Sequence, residues 1–157
     1  MMLVRGGFAL LTGIALVAGC PASGTPGVSG EIVLDDNFLV NASYATRVFI
    51  GGYTDAQIDS DGWPAHWGEA GYSTTIENIN AKPYTYEIVT GSGGRLHMFA
   101  FLDQNGKIAG GSSTEPDLMT QDGTPISDLI GGYAKNPVVP IDDILDKIDI
   151  VLNAEMQ

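Results

Sequence analysis

The chain has 157 residues, with 19 Asp or Glu against 7 Lys or Arg, and a formal net charge of −12 at pH 7. A surface so acidic repels phosphates, which excludes nucleic acid as an expected partner while leaving cationic partners and divalent metal open. A hydrophobic share of 44% with only 17% charged residues excludes intrinsic disorder as the default state. The single Cys excludes an intramolecular disulfide and any Cys-based zinc cluster.

Met1 to Arg5 carry one positive charge and no acid, and Gly6 to Gly19 are uncharged and apolar apart from Thr12. That run falls short of the ~20 residues a membrane span needs and has the length of a secretory h-region. It closes with Leu16-Val17-Ala18-Gly19-Cys20, which resembles the lipobox of bacterial lipoproteins. The resemblance implies that residues 1–19 are a cleaved signal peptide and that Cys20 becomes a lipidated N-terminus carrying diacylglycerol and palmitate. The protein would then sit in the bacterial cell envelope, held to the membrane by a lipid anchor. Pro21, standing where Asp would mark retention, implies the outer membrane by the same resemblance. An ordinary signal peptide with an incidental Cys20 is the alternative. Several acyl chains on one residue anchor firmly, at ~0.8 kcal/mol per buried CH₂.

Residues 20–30 read as the lipidated Cys and a flexible linker of small residues, Pro and Gly, which cannot bury enough apolar surface to fold. The domain is expected over residues 31–157. Glu31 to Leu34 opens it as a strand, followed by an apolar run from Thr46 to Tyr53. Thr74 to Ile79 alternates weakly. Pro83 to Val89 alternates clearly, with Tyr84, Tyr86 and Ile88 on one face. Arg95 to Asp103 is apolar on both faces, which predicts a central strand covered on both sides. Gly131, Gly132 and Pro137 interrupt a possible strand over 130–139. Ile141, Ile144, Leu145 and Ile148 have helical spacing, which predicts a helical turn over about 141–146 leading into a last strand over 147–153. About seven short strands separated by Gly and Pro turns predict an all-β antiparallel sandwich. The intervals 54–73 and 104–129 are long for structureless loops, and such loops are usually functional or hold small elements of their own.

Tyr84-Thr85-Tyr86, followed by Gly94 to Gly106 with its Ala100-Phe101-Leu102-Asp103-Gln104-Asn105-Gly106 run, resembles the transthyretin-like or carboxypeptidase-regulatory-like modules of exported bacterial proteins. The resemblance covers roughly 28–154 and implies a small, mostly non-enzymatic β-sandwich. After Gly106 the chain departs from the module, with Lys107-Ile108 where a calcium loop would supply another oxygen ligand.

Three sets of residues are candidates for chemistry. Trp63, His66 and Trp67 share one Gly- and Pro-flanked segment, where aromatic rings could stack on a glycan or anchor an envelope protein. The competing reading folds one or both Trp rings back to cap the sandwich. Asp103 and Asn105 place two oxygen ligands at a strand end, and Asp117 and Asp122, with Glu115 and Asp128, could complete a calcium shell. An Asn-Gly hairpin turn is the competing reading there, and Asp55, Asp59 and Asp61 form a rival acidic cluster. A small exported hydrolase using His66 and nearby acids such as Glu69 is the alternative function. His97 reads as a packed or edge histidine. No zinc-protease, serine-hydrolase or nucleotide-loop motif is present.

Overall fold

The computed structural model describes residues 24–36, 47–77, 79, 82–91, 94–104, 115–116, 118–121 and 124–155, with backbone only for 118–121 and 124–126. Ten strands are present among the described residues. They are β1 (Gly27–Leu34), β2 (Arg47–Tyr53), β3 (Tyr72–Glu77), β4 (Tyr84–Val89), β5 (His97–Asp103), β6 (Leu118–Gln121), β7 (Thr124–Ser127), β8 (Leu129–Tyr133), β9 (Ile144–Leu145) and β10 (Ile150–Glu155). Among the described residues the only helical segments are two 3-10 turns, at Asp55–Gln57 and Trp67–Glu69.

The all-β expectation holds, but the architecture differs from an antiparallel two-sheet sandwich. One large sheet has the order β3-β2-β5-β8-β10-β1-β4, with β9 added beside β1, and a separate hairpin pairs β6 with β7. The large sheet is mixed, because β1 runs parallel to both β9 and β10. It curls until β3 and β4, at opposite ends of the path, approach each other without pairing.

Strand alternation decides what fills each face. Val28 and Ile32 of β1, Val48 and Ile50 of β2, Met98, Ala100 and Leu102 of β5, and Ile150 and Leu152 of β10 form the main core. Tyr86 and Ile88 join them as the alternation predicts, while Tyr84 is only half-buried. The opposite face of the same strands carries Tyr53, Phe99, Phe101 and Ile130, with Phe49 and Ala154 beside them. β5 is therefore central and covered on both sides, as its unbroken apolar run predicts.

Three local departures have physical causes. β1 starts at Gly27, inside the segment read as linker, because Val28 is fully buried in the core and Gly27 pairs with Val89. No helix forms over 141–146. Ile141 stays exposed, while Ile144 and Leu145 pair with Gly27 and Val28 as β9. Between β9 and β10, four residues from Asp146 to Asp149 stand opposite three from Ser29 to Glu31, a β-bulge in a parallel pair. Lys147 takes the left-handed conformation there, at φ 59°. The bulge is tied down by Ile148 N–H to the Ser29 carbonyl (3.0 Å), Glu31 N–H to Asp149 Oδ1 (2.9 Å) and the Tyr86 hydroxyl to the Ile148 carbonyl (2.6 Å).

The third departure concerns β8, which ends at Tyr133. The glycines read as interruptions are what let β8 lie between its neighbours: a Cβ on Gly131 would fall 1.9 Å from the Val151 carbonyl oxygen. Beyond Tyr133 the Asn136 side chain continues the ladder. Its Oδ1 accepts from Met98 N–H at 2.8 Å and its Nδ2 donates to the Met98 carbonyl at 3.0 Å. Backbone pairing resumes at Leu96 with Val138.

Candidate aromatic cleft

The segment between β2 and β3 is the long interval that carries Trp63, His66 and Trp67, and it folds across the aromatic face of the sheet. Thr54 N–H donates to Gln57 Oε1 at 2.9 Å, closing the first 3-10 turn, and Gln57 Nε2 reaches across to the Glu69 carbonyl. Asp59 organises the tip. Its Oδ1 accepts from Asp61 N–H at 2.9 Å and Trp63 N–H at 3.0 Å, and its own N–H donates to the Trp63 carbonyl at 2.8 Å. Gly62 takes φ +86° at the tip, where the lack of a Cβ makes that conformation accessible.

The two Trp rings then pack inward. Trp67 is buried and meets Phe101 edge-on at 5.5 Å and 85°, with Phe99 and Tyr53 also at steep angles. Such edge-to-face contacts suit the quadrupoles of the rings. Trp63 is half-buried, stacked on Trp67 at 6.1 Å and 26° and lying 5.5 Å from Phe99. The Trp67 backbone is held from both sides. The Tyr53 hydroxyl donates to its carbonyl at 2.6 Å, and Glu115 receives Trp67 N–H at 2.8 Å and Gly68 N–H at 3.0 Å through its two oxygens. Burial, and then the Glu115 charge, push the Tyr53 hydroxyl pKa well above its ordinary value.

A cleft of about 580 Å³ opens beside these rings, with Asp59, Asp61, Trp63, Trp67, Glu115 and Glu155 on its wall. Its volume is within the usual range for small-ligand sites. The rings thus cover a sheet face instead of capping the end of a sandwich, and Trp63 keeps one part turned to the cleft.

His66 is exposed, precedes the second 3-10 turn, and has no carboxylate or nucleophile on its ring among the described residues. His97 is the histidine that finds an acid: its Nε2 lies 2.7 Å from Asp55 Oδ1, with Arg95 Nε 3.6 Å from Oδ2 of the same carboxylate. The His97 hydrogen bond, with the Arg95 charge behind it, holds the Asp55 carboxyl below its usual pKa. Asp55 is thus engaged apart from Asp59, and the rival acidic cluster does not converge on one point.

Of the calcium candidates, Asp103 is fully buried at the end of β5. Asp128 is buried nearby and accepts from Gln104 N–H at 2.9 Å, while Gln104 Nε2 donates to the Ser127 carbonyl at 2.8 Å. Asn105, Asp117 and Asp122 lie outside the described residues, as does Cys20. Among the described residues no three His, Cys, Asp or Glu side chains are grouped to hold a metal ion. Glu115, a calcium candidate by sequence, accepts from the Trp67 and Gly68 N–H groups and so holds the Trp67 backbone.

Sequence reasoning missed the floor and rim of the cleft. Phe49, Tyr53, Phe99 and Phe101 sit at alternate positions of β2 and β5, and that spacing was the available signal for a second, aromatic face. Glu115 stood out only as a calcium candidate, and nothing local to Glu155 marked it. No family model matches the chain, and no curated protein or solved structure is significantly similar to it. The molecule is defined by its own geometry: an all-β domain on one curled mixed sheet, with an aromatic cleft on its outer face.

Proposed function

We propose that this is a lipid-anchored protein of the bacterial cell envelope whose all-β domain is a non-enzymatic binding module. The Trp63 cleft meets the partner. The anchor reading rests on residues 1–20, with Cys20 as the modified residue and the outer membrane favoured by Pro21. The binding reading rests on one observation: a half-buried Trp63, fixed against Trp67 and Phe99, lines a cleft of ligand size. Hot spots favour Trp in such settings, because a large rigid ring loses little entropy on contact. No observation favours the hydrolase alternative, since among the described residues His66 has neither acid nor nucleophile on its ring. The calcium expectation carries no part of this reading.

Two experiments test it. Radioactive fatty acid should label the wild type, and Cys20→Ser should abolish that label and release the protein from membranes; an unlabelled wild type refutes the anchor. Immobilised full-length protein should retain envelope material that a Trp63→Ala variant does not. Equal retention by both refutes the cleft as the binding surface.

A further inference from the structure

The cleft has a charge pattern that its aromatic wall alone does not explain. Four of the described residues on its wall are carboxylates, Asp59, Asp61, Glu115 and Glu155, and none of the described ones is Lys, Arg or His. Some acids elsewhere have a cation of the protein close by. Arg47 lies 3.3 Å from Glu77, Arg95 3.6 Å from Asp55, and a second cleft of about 530 Å³ at the β1 bulge has Lys147 beside Glu31, Glu87 and Asp149. At the Trp63 cleft, Asp61 and Glu155 have no cation of the protein among the described residues. Asp59 is fixed by the N–H groups of Asp61 and Trp63, which orient the carboxylate without cancelling its charge.

We infer that the Trp63 cleft takes a planar organic cation, the guanidinium of an arginine in a basic polypeptide partner. This rests on the reading of the cleft as the binding surface and names the chemistry that fills it. Indole is the best aromatic partner for a cation, and Trp63 is held in place from behind by Trp67 and Phe99, so it needs no reordering to receive one. Guanidinium stacks flat on such a ring while its edge hydrogens reach two carboxylates at once, which a compact ammonium cannot do. A neutral glycan would gain nothing from the surrounding negative field, and an anionic one would be repelled. A polypeptide is favoured over a free cation because the acids are spread along the wall from Asp59 and Asp61 at the loop tip to Glu155 in β10.

Both Trp residues of the chain are at this cleft, so intrinsic fluorescence reports on it directly. Detergent-solubilised full-length protein is titrated with the peptide acetyl-Gly-Arg-Gly-Arg-Gly-amide, followed by fluorescence and by calorimetry. Expected is saturable binding that weakens about tenfold or more as NaCl rises from ~0.05 to ~0.5 M. The Asp61→Asn/Glu155→Gln variant, checked for native circular dichroism, should weaken binding by a similar factor, and Trp63→Leu should abolish it by calorimetry. No saturable binding, or binding that the double charge variant leaves unchanged, overturns the inference. Equal affinity for argininamide alone overturns the polypeptide as occupant. If the arginine peptide fails while Trp63→Ala still loses envelope material, the cation is refuted and the binding surface stands. If Trp63→Ala alters neither, both fall.

Discussion

Replacing Trp67 by Ala tests how the aromatic face is held. The ring is 4% exposed and touches Tyr53, Trp63, Phe99 and Phe101. A buried Trp side chain hides about 150–250 Å², so at roughly 25 cal/mol per Å² its loss removes about 4–6 kcal/mol of transfer free energy. Ala keeps a small part of that area, and Trp63 can sink into the space because one side of it faces the cleft. The expected cost is therefore about 3–5 kcal/mol, the usual range for a core Trp→Ala change. Against a total stability of about 5–15 kcal/mol, that loosens the domain severely without requiring that it unfold. The core on the opposite sheet face, from Val28 to Leu152, is untouched by the change. Guanidinium unfolding followed by circular dichroism should give the loss directly, with the native spectrum retained at zero denaturant. Tyr53→Phe is the companion variant: it removes only the hydroxyl that caps the Trp67 carbonyl and should cost about 1–3 kcal/mol for the buried acceptor left unpaired. A Trp67→Ala loss below about 1 kcal/mol would refute the view that this ring fastens the segment to the sheet.

Gly131→Ala should destabilise by at least about 1–3 kcal/mol, because its Cβ would meet a backbone carbonyl, not a movable side chain; denaturant melts check it, and a neutral result would mean that β8 and β10 part easily. Burial raises the folded pKa of Tyr53 and Tyr86 above the unfolded value, with Glu115 adding to the first and Asp149 then Tyr133 to the second. Their contribution is full below the ordinary Tyr pKa of about 10 and is lost as pH rises toward the folded values. Absorbance at 295 nm should show these two ionising only as the fold is lost, unlike tyrosines that titrate near pH ~10. The Asp55 pKa is lowered, so the stabilisation from its His97 pairing is present above the ordinary carboxylate pKa of about 4 and is lost as pH falls through the lower folded value. Asp55→Asn should flatten that acid limb in thermal melts, and an unchanged pH profile would contradict the pairing.

Alternation made the inner core legible from sequence. Ile148, Ile150 and Leu152, and Met98, Ala100 and Leu102, are buried as their spacing predicts. What alternation leaves open is which strands pair. The parallel partnership of β1 and β10 joins segments more than a hundred residues apart, and no local pattern encodes it. The helical spacing over 141–148 misled for a related reason. A bulge at Lys147 shifts the side-chain phase within a nearly extended segment, and the shifted pattern mimics a helix. At the cleft, Trp63 and Trp67 were legible because of their clustering, whereas Glu115 and Glu155 reach the same wall from distant segments through the tertiary fold alone.

The strand order has a consequence for how the domain is made. Among the described residues β10 is the last strand in chain order, yet it lies inside the sheet between β8 and β1, and its partner β1 is the first. An emerging chain can assemble the ladder from β3 to β8 early, but β1 and β4 wait for residues 150–155 to join them to it. Few of the contacts are local, which slows folding of a newly made chain. Until residues 150–155 have been made, no backbone pairing among the described strands links β8 to β1, so a chain cut short before them cannot close the ladder.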